Sequence, residues 1–271
     1  MCLAVTDQGG PRRCSGDARA ALRRARAAVE VLEQRQHQIL AFQRPLVGCG
    51  QIPTFEVTAA APPYHLWQEI NEGHYGCIRI SPDGTRAVKE LFPSADGEAG
   101  EFGPYEVELA ITMGELGHSP RVHLASHSYL EMDLVTGAPL WASYKPEDDE
   151  PVMNATQATK LAAALKDLHR MGYCHGDLHV RQVLVDGDNV HLVDYGSVRP
   201  LCERPVKSLH DLNKVAALAN WANDELAGDP YIRLLNRHLT RYRDVKGVSK
   251  AAHELRDAIA LDYLKELEEL P

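Results

Sequence analysis

Two aspartates, Asp177 and Asp194, lie at opposite ends of a segment whose pattern predicts a β-hairpin. Apolar and polar residues alternate from Val183 to Leu192, interrupted by an Asp-Gly-Asp-Asn turn at 186–189. A hairpin would hold the two carboxylates at a fixed separation. Phosphoryl transfer uses such a pair, because one carboxylate must lie near the attacking hydroxyl and another must hold a metal ion on the nucleotide phosphates.

The charge of the chain is unevenly distributed. Its formal net charge is -9, yet residues 1–60 contain eight arginines and only five acidic residues. The remainder is therefore acidic and unsuited to binding nucleic acid. With 271 residues, 44% of them hydrophobic, the chain is long enough for one two-lobed domain or two small ones.

The six cysteines are scattered, with no CxxC pair and no spacing to histidine that is typical of a zinc site. This distribution favours a reduced, cytosolic working environment over a disulfide framework. The sequence contains no apolar run long enough to span a bilayer and no signal-peptide core, so we expect no transmembrane segment. We expect a monomer.

Residues 1–63 are predicted to form an N-terminal extension. Asp17 can cap a helix from residue 18 to about residue 42, with one apolar face and an arginine-rich remainder. This helix is interpreted either as packed on the domain or as a secretion or targeting segment, and two glutamates within it favour the former. Residues 43–63, rich in proline and glycine, are typical of a linker.

Residues 66–92 predict three strands, with a glycine-containing turn between the first two and a hairpin turn between the last two. Asn71, Gly73 and Gly76 lie in or beside the first turn, where glycine lets backbone amides approach a phosphate. The third strand carries Lys89, the first lysine of the chain. Lys89 can supply positive charge to phosphates, or it can protect a strand edge against aggregation.

The loops that carry the two aspartates point to a family. The His-Gly-Asp triplet that ends at Asp177, followed by the Asp-Tyr-Gly triplet that begins at Asp194, resembles the catalytic and metal-binding loops of the protein-kinase-like superfamily. A helix predicted between Asn154 and Gly172 leads directly into the first loop, as this family requires. The resemblance covers roughly residues 65–225.

The resemblance implies an α+β, two-lobed fold within residues 64–271. A small antiparallel sheet would occupy an N-lobe at 64–133, and helices would dominate a C-lobe at 134–271. The segment before a helix predicted to begin with a Ser208 and Asp211 capping pair is much shorter than the activation segment of ordinary protein kinases. Asp211 also resembles the aspartate that accepts backbone amides of the catalytic loop.

The resemblance further implies that the chain binds ATP. It assigns the nucleotide to the loop residues Asn71, Gly73 and Gly76, the strand residue Lys89, and Met132, Asp133 and Val135 at a strand end similar to the kinase hinge. Asn71 stands where the family has its first glycine. Met132 would guard the adenine pocket, and the hinge backbone would hydrogen-bond the adenine.

The family pairs its strand lysine with a glutamate on the next helix, predicted here from Pro104 to Leu116. Glu106 and Glu108 are the candidates. Two residues apart on a helix they cannot face the same way, so at most one pairs with Lys89. The spacing to the following turn favours Glu108.

By the same resemblance, Asp177 accepts the proton of the acceptor hydroxyl and Asp194 binds Mg²⁺. Three departures from the family pattern lie nearby. Gly176 replaces an arginine that gathers a phosphorylated activation loop, which implies a constitutively active enzyme. His179 replaces a lysine and can contact a phosphate or order the loop. Gln182 replaces a metal-binding asparagine but keeps an amide oxygen that can bind magnesium.

The small size, the short segment and the N-terminal extension resemble the minimal kinases that bacterial pathogens secrete into host cells, including type III secreted effectors. That group includes a family directed at the host chaperone HSP90. The resemblance therefore implies a serine/threonine protein kinase that acts on a host protein, using ATP and Mg²⁺.

Two alternatives stay open. Small-molecule kinases, including those for aminoglycosides, lipopolysaccharide sugars and choline, also often carry His-Gly-Asp. Several of them place a sizeable insertion between hinge and catalytic loop, whereas a short segment with one helix separates Val135 from Asp177 here. A nucleotide-binding pseudokinase is favoured by Asn71 and Gln182, and the intact lysine and aspartates argue against it.

Overall fold

The computed structural model describes residues 63–72, 76–93, 100–103, 105–140, 153–221 and 224–270, which fall within one compact unit. The predicted N-terminal helix, nearly all of the predicted linker and Gly73 lie outside these residues. No helix in the described part of the chain is long and apolar enough to cross a membrane.

A five-stranded antiparallel sheet forms the first half of the described chain. Its strands, in spatial order β1-β2-β3-β5-β4, are β1 (Gln68–Glu72), β2 (Gly76–Ile80), β3 (Arg86–Leu91), β4 (Val122–Ala125) and β5 (Tyr129–Asp133). Helix α1 (Glu106–Glu115) connects β3 to β4. The three predicted strands before residue 92 and the two predicted after residue 120 are therefore present.

The turn between β2 and β3 is held by its own side chains. The Asp83 carboxylate accepts hydrogen bonds from the Ser81 hydroxyl at 2.6 Å and from the Thr85 amide at 3.0 Å. Gly84 has a φ of 69°, which glycine adopts without steric cost. This turn fixes the register of β2 on β3, and so fixes which side chains share a face of the sheet.

The register places several predicted site residues on one face. Lys89 pairs with Ile78 of β2 and with Leu130 of β5, and Met132 pairs with Ala87. Cross-strand partners point to the same side of a sheet, and so do residues two apart on one strand. Met132, Ile78 and Lys89 therefore share one face of the sheet.

The second half of the described chain is mainly helical. Its elements are α2 (Ala155–Arg170), α3 (Val206–Ala219), α4 (Pro230–Asp244) and α5 (Lys250–Glu269), with the short strands β6 (Ala138–Pro139), β7 (Tyr173–Cys174), β8 (Val183–Asp186), β9 (Asn189–Leu192) and β10 (Arg199–Pro200). The prediction of an α+β fold with a small antiparallel sheet and a helical second lobe is confirmed.

Helix α2 begins where its capping signal predicts. The Asn154 side chain accepts the Gln157 amide at 2.9 Å, and the Gln157 side chain accepts the Asn154 amide at 3.0 Å. This reciprocal pair is a capping box. The helix buries an apolar stripe and ends at Arg170, two residues before Gly172, whose φ is 85°. The chain then enters the loop that carries Asp177.

The predicted hairpin is formed by β8 and β9, with Asp186 paired to Asn189 across the turn. Val183, Val190 and Leu192 are buried, in agreement with the alternating pattern. Strand β6 adds a third strand beside β8, and β10 pairs with β7. These two-residue strands were not predicted, because they are too short to show a period.

The prediction that Ser208 and Asp211 cap α3 is wrong. The helix begins two residues earlier, at Val206. The Ser208 hydroxyl donates to the Pro205 carbonyl at 2.8 Å, and Asp211 lies inside the helix with its carboxylate turned to another loop. The two later helices are capped by side chains, since Asp229 accepts two backbone amides and Ser249 accepts one.

A buried histidine between α2 and α5 predicts acid sensitivity. Nδ1 of His169 lies 2.9 Å from the Tyr263 hydroxyl, and burial lowers the pKa of His169 to about 3. The unfolded chain binds this proton near pH 6.5 and the folded chain does not, so stability falls as pH falls. We expect the folded protein to lose about 2 kcal/mol at this site between pH 7 and pH 5.

Urea unfolding at both pH values measures this loss. In the His169→Gln variant, which has no proton to gain, the difference between the two pH values should shrink by the same amount. An identical pH dependence in the wild type and the variant would contradict the prediction.

Candidate active site

Lys89 is held by a glutamate of α1. Its Nζ lies 2.7 Å from Oε1 of Glu106, and the Phe102 ring centroid is 5.5 Å away. Glu106 is buried, whereas Glu108 is half-buried. The prediction that Glu108 is the partner is wrong, because α1 begins at Glu106 and a step of two residues turns a side chain by about 200° around the helix.

A second carboxylate reaches the same lysine. Lys89 Nζ lies 2.9 Å from Oδ1 of Asp194, which follows β9. Burial disfavours the charged form of both groups, but the opposite charges nearby outweigh it. The carboxylates of Glu106 and, after it, Asp194 raise the pKa of Lys89, and Lys89 lowers the pKa of Asp194. Lys89 is thus a fixed cation between two anions.

The backbone at Asp194 is left-handed, with φ 66° and ψ 70°. Among the described non-glycine residues only Asp194 and Asn220 have a positive φ. A side chain in this region costs conformational energy and persists where the surroundings enforce it, which is common at functional sites. Here the unusual backbone accompanies the contact of the carboxylate with Lys89.

Gln182 supports a metal site at Asp194. Its buried amide lies near the Asp194 carboxylate and contributes to the lowered pKa of Asp194, behind the larger effect of Lys89. The Oε1 atom of Gln182 is buried and has no hydrogen-bond partner among the described residues. A carboxylate and a neighbouring amide oxygen are the hard ligands that Mg²⁺ prefers, and this ion typically needs few protein ligands. The donor set therefore fits magnesium.

Asp177 lies on the exposed side of its loop, between two basic side chains. Nε2 of His179 is 3.8 Å from one carboxylate oxygen, and Nζ of Lys214 on α3 is 3.7 Å from the other. Nδ1 of His179 accepts the Arg181 amide at 3.1 Å, so this ring orders the loop. Lys214 was not predicted from the sequence.

His175 joins the two aspartate loops. Its Nε2 lies 3.0 Å from the carbonyl oxygen of Val193, which precedes Asp194. Burial lowers the pKa of His175, so the ring is neutral at pH 7 and donates this hydrogen bond. The ring also packs on Tyr195, with centroids 5.5 Å apart. The Tyr195 hydroxyl in turn contacts the Ser119 hydroxyl at 2.5 Å. These contacts fix the separation of Asp177 and Asp194.

Asp211 ties α3 to the loop of Asp177. Its Oδ2 atom accepts the Gly176 amide at 2.8 Å, and the Leu178 amide lies close enough to the carboxylate to favour its charged form. Burial raises the pKa of Asp211 to about 6, with the two amides opposing the shift. The resemblance of Asp211 to an aspartate that accepts amides of the catalytic loop therefore agrees with the geometry.

Gly176 must be glycine for backbone reasons. Its φ is 82°, and a Cβ atom there would overlap the Ser197 carbonyl group. We expect Gly176→Ala to lower the free energy of unfolding by more than about 3 kcal/mol, because left-handed strain and a backbone clash combine. Gly187 has a φ of 56° and open space around it. Gly187→Ala is the matched control, with an expected cost of about 1 kcal/mol.

Urea unfolding of the two variants separates the cost of the left-handed backbone from the cost of the clash with Ser197. Equal losses of stability in Gly176→Ala and Gly187→Ala would show that only the backbone conformation matters and would contradict the clash.

The predicted phosphate loop is described in part. Asn71 is exposed at the end of β1 and pairs with Ile78. A Cβ atom at Gly76 would overlap the Glu90 carbonyl oxygen on β3. The pairing of β2 with β3 therefore requires this glycine, whatever it contributes to phosphate binding. Phosphate binding by Asn71, Gly73 and Gly76 stays a prediction.

The predicted hinge follows β5. Met132 lies on the sheet face of Lys89, as an adenine pocket requires. The Asp133 carboxylate lies 2.6 Å from Nε2 of His123, and the Asp133 amide donates to the Arg121 carbonyl. Val135 is half-buried at the start of the following loop. Adenine binding by Met132, Asp133 and Val135 stays a prediction.

Besides Lys214, two residues near Lys89 were not assigned from the sequence. Glu106 was one of two candidate partners of Lys89, but the spacing to the following turn favoured Glu108. Ile78 shares the Lys89 face and follows Gly76 by two residues, so the glycine pattern could have led to it. For Lys214 the only sequence signal was its position three residues after Asp211, one helical turn on the same face.

Similarity to solved structures includes two kinases. One is the Cydia pomonella granulovirus kinase PK-1, with 18% identity, a TM-score of 0.45, and 72% of this chain and 86% of that chain covered. The other is the Rio2 kinase from Chaetomium thermophilum in an ADP/Mg²⁺-phosphoaspartate complex, with 14% identity, a TM-score of 0.43, and 76% and 73% covered. No family model matches the sequence, and no curated protein matches it significantly. Because both similarities are distant, function must be argued from contacts within this chain.

Proposed function

We propose that this chain is an ATP-dependent phosphotransferase that uses Mg²⁺. The observation that carries the proposal is Lys89 fixed between Glu106 and Asp194, at 2.7 and 2.9 Å. Asp177 lies at the other end of the hairpin that carries Asp194. A fixed cation, a metal-binding carboxylate and a separate exposed carboxylate are the groups that transfer from a nucleotide to a hydroxyl requires.

Each group has a distinct role in the proposed reaction. Lys89, held by Glu106, binds the nucleotide phosphates. Asp194 and the amide oxygen of Gln182 hold Mg²⁺, which neutralises phosphate charge when bound. Asp177 accepts the proton of the acceptor hydroxyl. Neutral His175 holds the loop of Asp177 against the residues that precede Asp194.

For the acceptor we propose a serine or threonine of a protein. The short connection from β10 to α3 supports this, because it leaves Asp177 exposed. The resemblance to secreted bacterial kinases supports a host protein, with HSP90 as one candidate, and action in a cytosol. Constitutive activity is supported by the glycine at position 176, where no arginine is present to read a phosphorylated segment.

A nucleotide-binding pseudokinase is the second candidate. Gln182 favours it, since its side chain is one methylene longer than the asparagine of the family pattern and Mg²⁺ demands near-ideal ligand geometry. A pseudokinase would be stabilised by nucleotide and would transfer no phosphate. A small-molecule kinase would transfer phosphate from ATP only when its own acceptor is added.

Labelled phosphate transfer tests the proposal. The full chain is incubated with γ-labelled ATP, Mg²⁺ and a host-cell lysate, and labelled proteins are identified by mass spectrometry. We expect additional label on serine or threonine with the wild type, relative to the lysate alone, and no additional label with Asp194→Ala. Equal labelling by both proteins would exclude the phosphotransferase. Purified HSP90 serves as a separate acceptor, and failure with HSP90 alone removes only that candidate.

A further inference from the structure

Lys214 reaches Asp177 from a different part of the chain. It lies on α3, and its Nζ is 3.7 Å from Oδ1 of Asp177. This separation is too long for a hydrogen bond, so the carboxylate does not saturate the ammonium group. The side chain of Lys214 is 34% exposed and that of Asp177 is 55% exposed. Both groups are therefore accessible to a ligand that enters beside Asp177.

The position of Lys214 is fixed by the same helix turn that anchors the loop. Asp211, three residues earlier, is fully buried and accepts the Gly176 amide. Residues three apart lie on one side of a helix. The hydrogen bond of Asp211 therefore aligns α3 with the loop and sets Lys214 against Asp177.

His179, the basic residue of the loop itself, has a different task. Its Nδ1 accepts the Arg181 amide, and a nitrogen that accepts carries no proton at that position. The imidazole thus contributes to the turn after Asp177. Lys214 is the basic side chain that α3 brings to Asp177, and among the described residues its ammonium group makes no backbone hydrogen bond.

Lys207, His210 and Lys214 follow each other along one side of α3. Burial lowers the pKa of His210, and the charges of Lys214 and Lys207 lower it further. The same two lysines favour the charged form of Asp211, and Lys214 also faces Asp177, so these carboxylates partly offset their positive charge.

We propose that Lys214 is a catalytic residue that contacts the phosphoryl group in transfer, a role that rests on the proposed function. In that reaction the acceptor oxygen bonds to the γ-phosphorus, the bond from phosphorus to the ADP oxygen breaks, and the acceptor proton moves to Asp177. Lys214 keeps its proton throughout. Its charge stabilises the phosphoryl oxygens beside Asp177, as cations commonly do in phosphoryl transfer.

The test compares Lys214→Met, Lys214→Arg, His179→Gln and the control Lys250→Met. Lys250 is a distant lysine with a side chain 91% exposed. We expect Lys214→Met to lower kcat about 30-fold, within the range for loss of one electrostatic contact, and Lys214→Arg to restore most of it. Lys250→Met should match the wild type, and His179→Gln should lose less than Lys214→Met.

A binding measurement separates direct contact from positioning of Asp177. With Mg²⁺, the preference of the wild type for a non-hydrolysable ATP analogue over ADP should fall about 10-fold in Lys214→Met and persist in Lys250→Met. An unchanged preference overturns the proposal, even if kcat falls, because Lys214 would then act only through Asp177.

The same measurement also distinguishes the two proposals. A wild type that binds the analogue but transfers no phosphate would contradict the proposed enzyme activity. The preference for the ATP analogue over ADP would still decide whether Lys214 contacts the γ-phosphate. A wild type that binds neither nucleotide overturns both. The melting temperature of each variant without nucleotide checks that it is folded.

Discussion

We expect Asp177→Asn to lower the rate of phosphate transfer about 10³-fold while nucleotide affinity stays within about twofold of the wild type. Asparagine keeps the size of the side chain but cannot accept the proton of the acceptor hydroxyl. Within the described part of the chain, Asp177 forms ion pairs with His179 at 3.8 Å and with Lys214 at 3.7 Å, both too long for hydrogen bonds. The substitution should therefore leave the loop intact.

Asp194→Asn should fail at a different step. The wild type should gain thermal stability from ATP only when Mg²⁺ is present, and this gain should vanish in the variant, because the metal-binding charge is lost. Lys89 keeps its 2.7 Å contact with Glu106, so the sheet and α1 stay in place. Asp188→Asn is the control, since Asp188 is an exposed residue of the same hairpin.

Steady-state kinetics and thermal shift together measure both variants. If Asp177→Asn and Asp194→Asn lose nucleotide binding equally, the separate roles assigned to them are wrong. If Asp188→Asn loses activity as well, the losses reflect the hairpin and not its two carboxylates.

Glu106→Gln is expected to lower kcat/KM on the order of 10²-fold, because a small displacement of a catalytic group can reduce the rate by that factor. Removal of the Glu106 charge leaves Asp194 as the remaining anion at Lys89. Lys89 would then bind Asp194 more closely and compete with the metal ion. The loss should therefore grow as the Mg²⁺ concentration is lowered.

Glu108→Gln provides the matched control on the same helix. It lies two residues further along α1 and has no recorded contact with Lys89. We expect kcat/KM within about twofold of the wild type, since changes at such surface positions are usually small. Kinetics at several Mg²⁺ concentrations would contradict the assignment if the two variants lost the same activity.

The parts of the site that sequence could predict depend on local signals. The hairpin follows from period-two alternation around a turn, and it places Asp177 and Asp194 without any long-range information. The capping box at Asn154 predicts α2 for the same reason. Lys89 followed from its strand and from the absence of earlier lysines.

The rest required the folded chain. The choice between Glu106 and Glu108 depends on the phase of α1, and helix ends read from sequence are uncertain by one or two residues. Two residues are enough to turn the wrong side chain toward Lys89. The cap predicted at Ser208 failed for the same reason. Lys214 meets Asp177 only because α3 packs against the loop, which no pattern within α3 encodes.

Glycines illustrate a third limit. Gly76 and Gly176 are visible in the sequence, and both suit the functional interpretation. Their neighbours, the carbonyl groups of Glu90 and Ser197, show that backbone packing alone already demands glycine at each position. A functional motif and a steric requirement can therefore coincide at one residue, and only the structure separates them.

The close approach of Gly176 to Ser197 also limits how this protein could evolve. A single codon change that placed arginine at 176 would create a steric conflict before it could create a sensor for a phosphorylated segment. The backbone around 197 would have to be rebuilt first. An arginine at position 176 therefore requires a change at a second site, because the Ser197 carbonyl group already occupies the space of its Cβ atom.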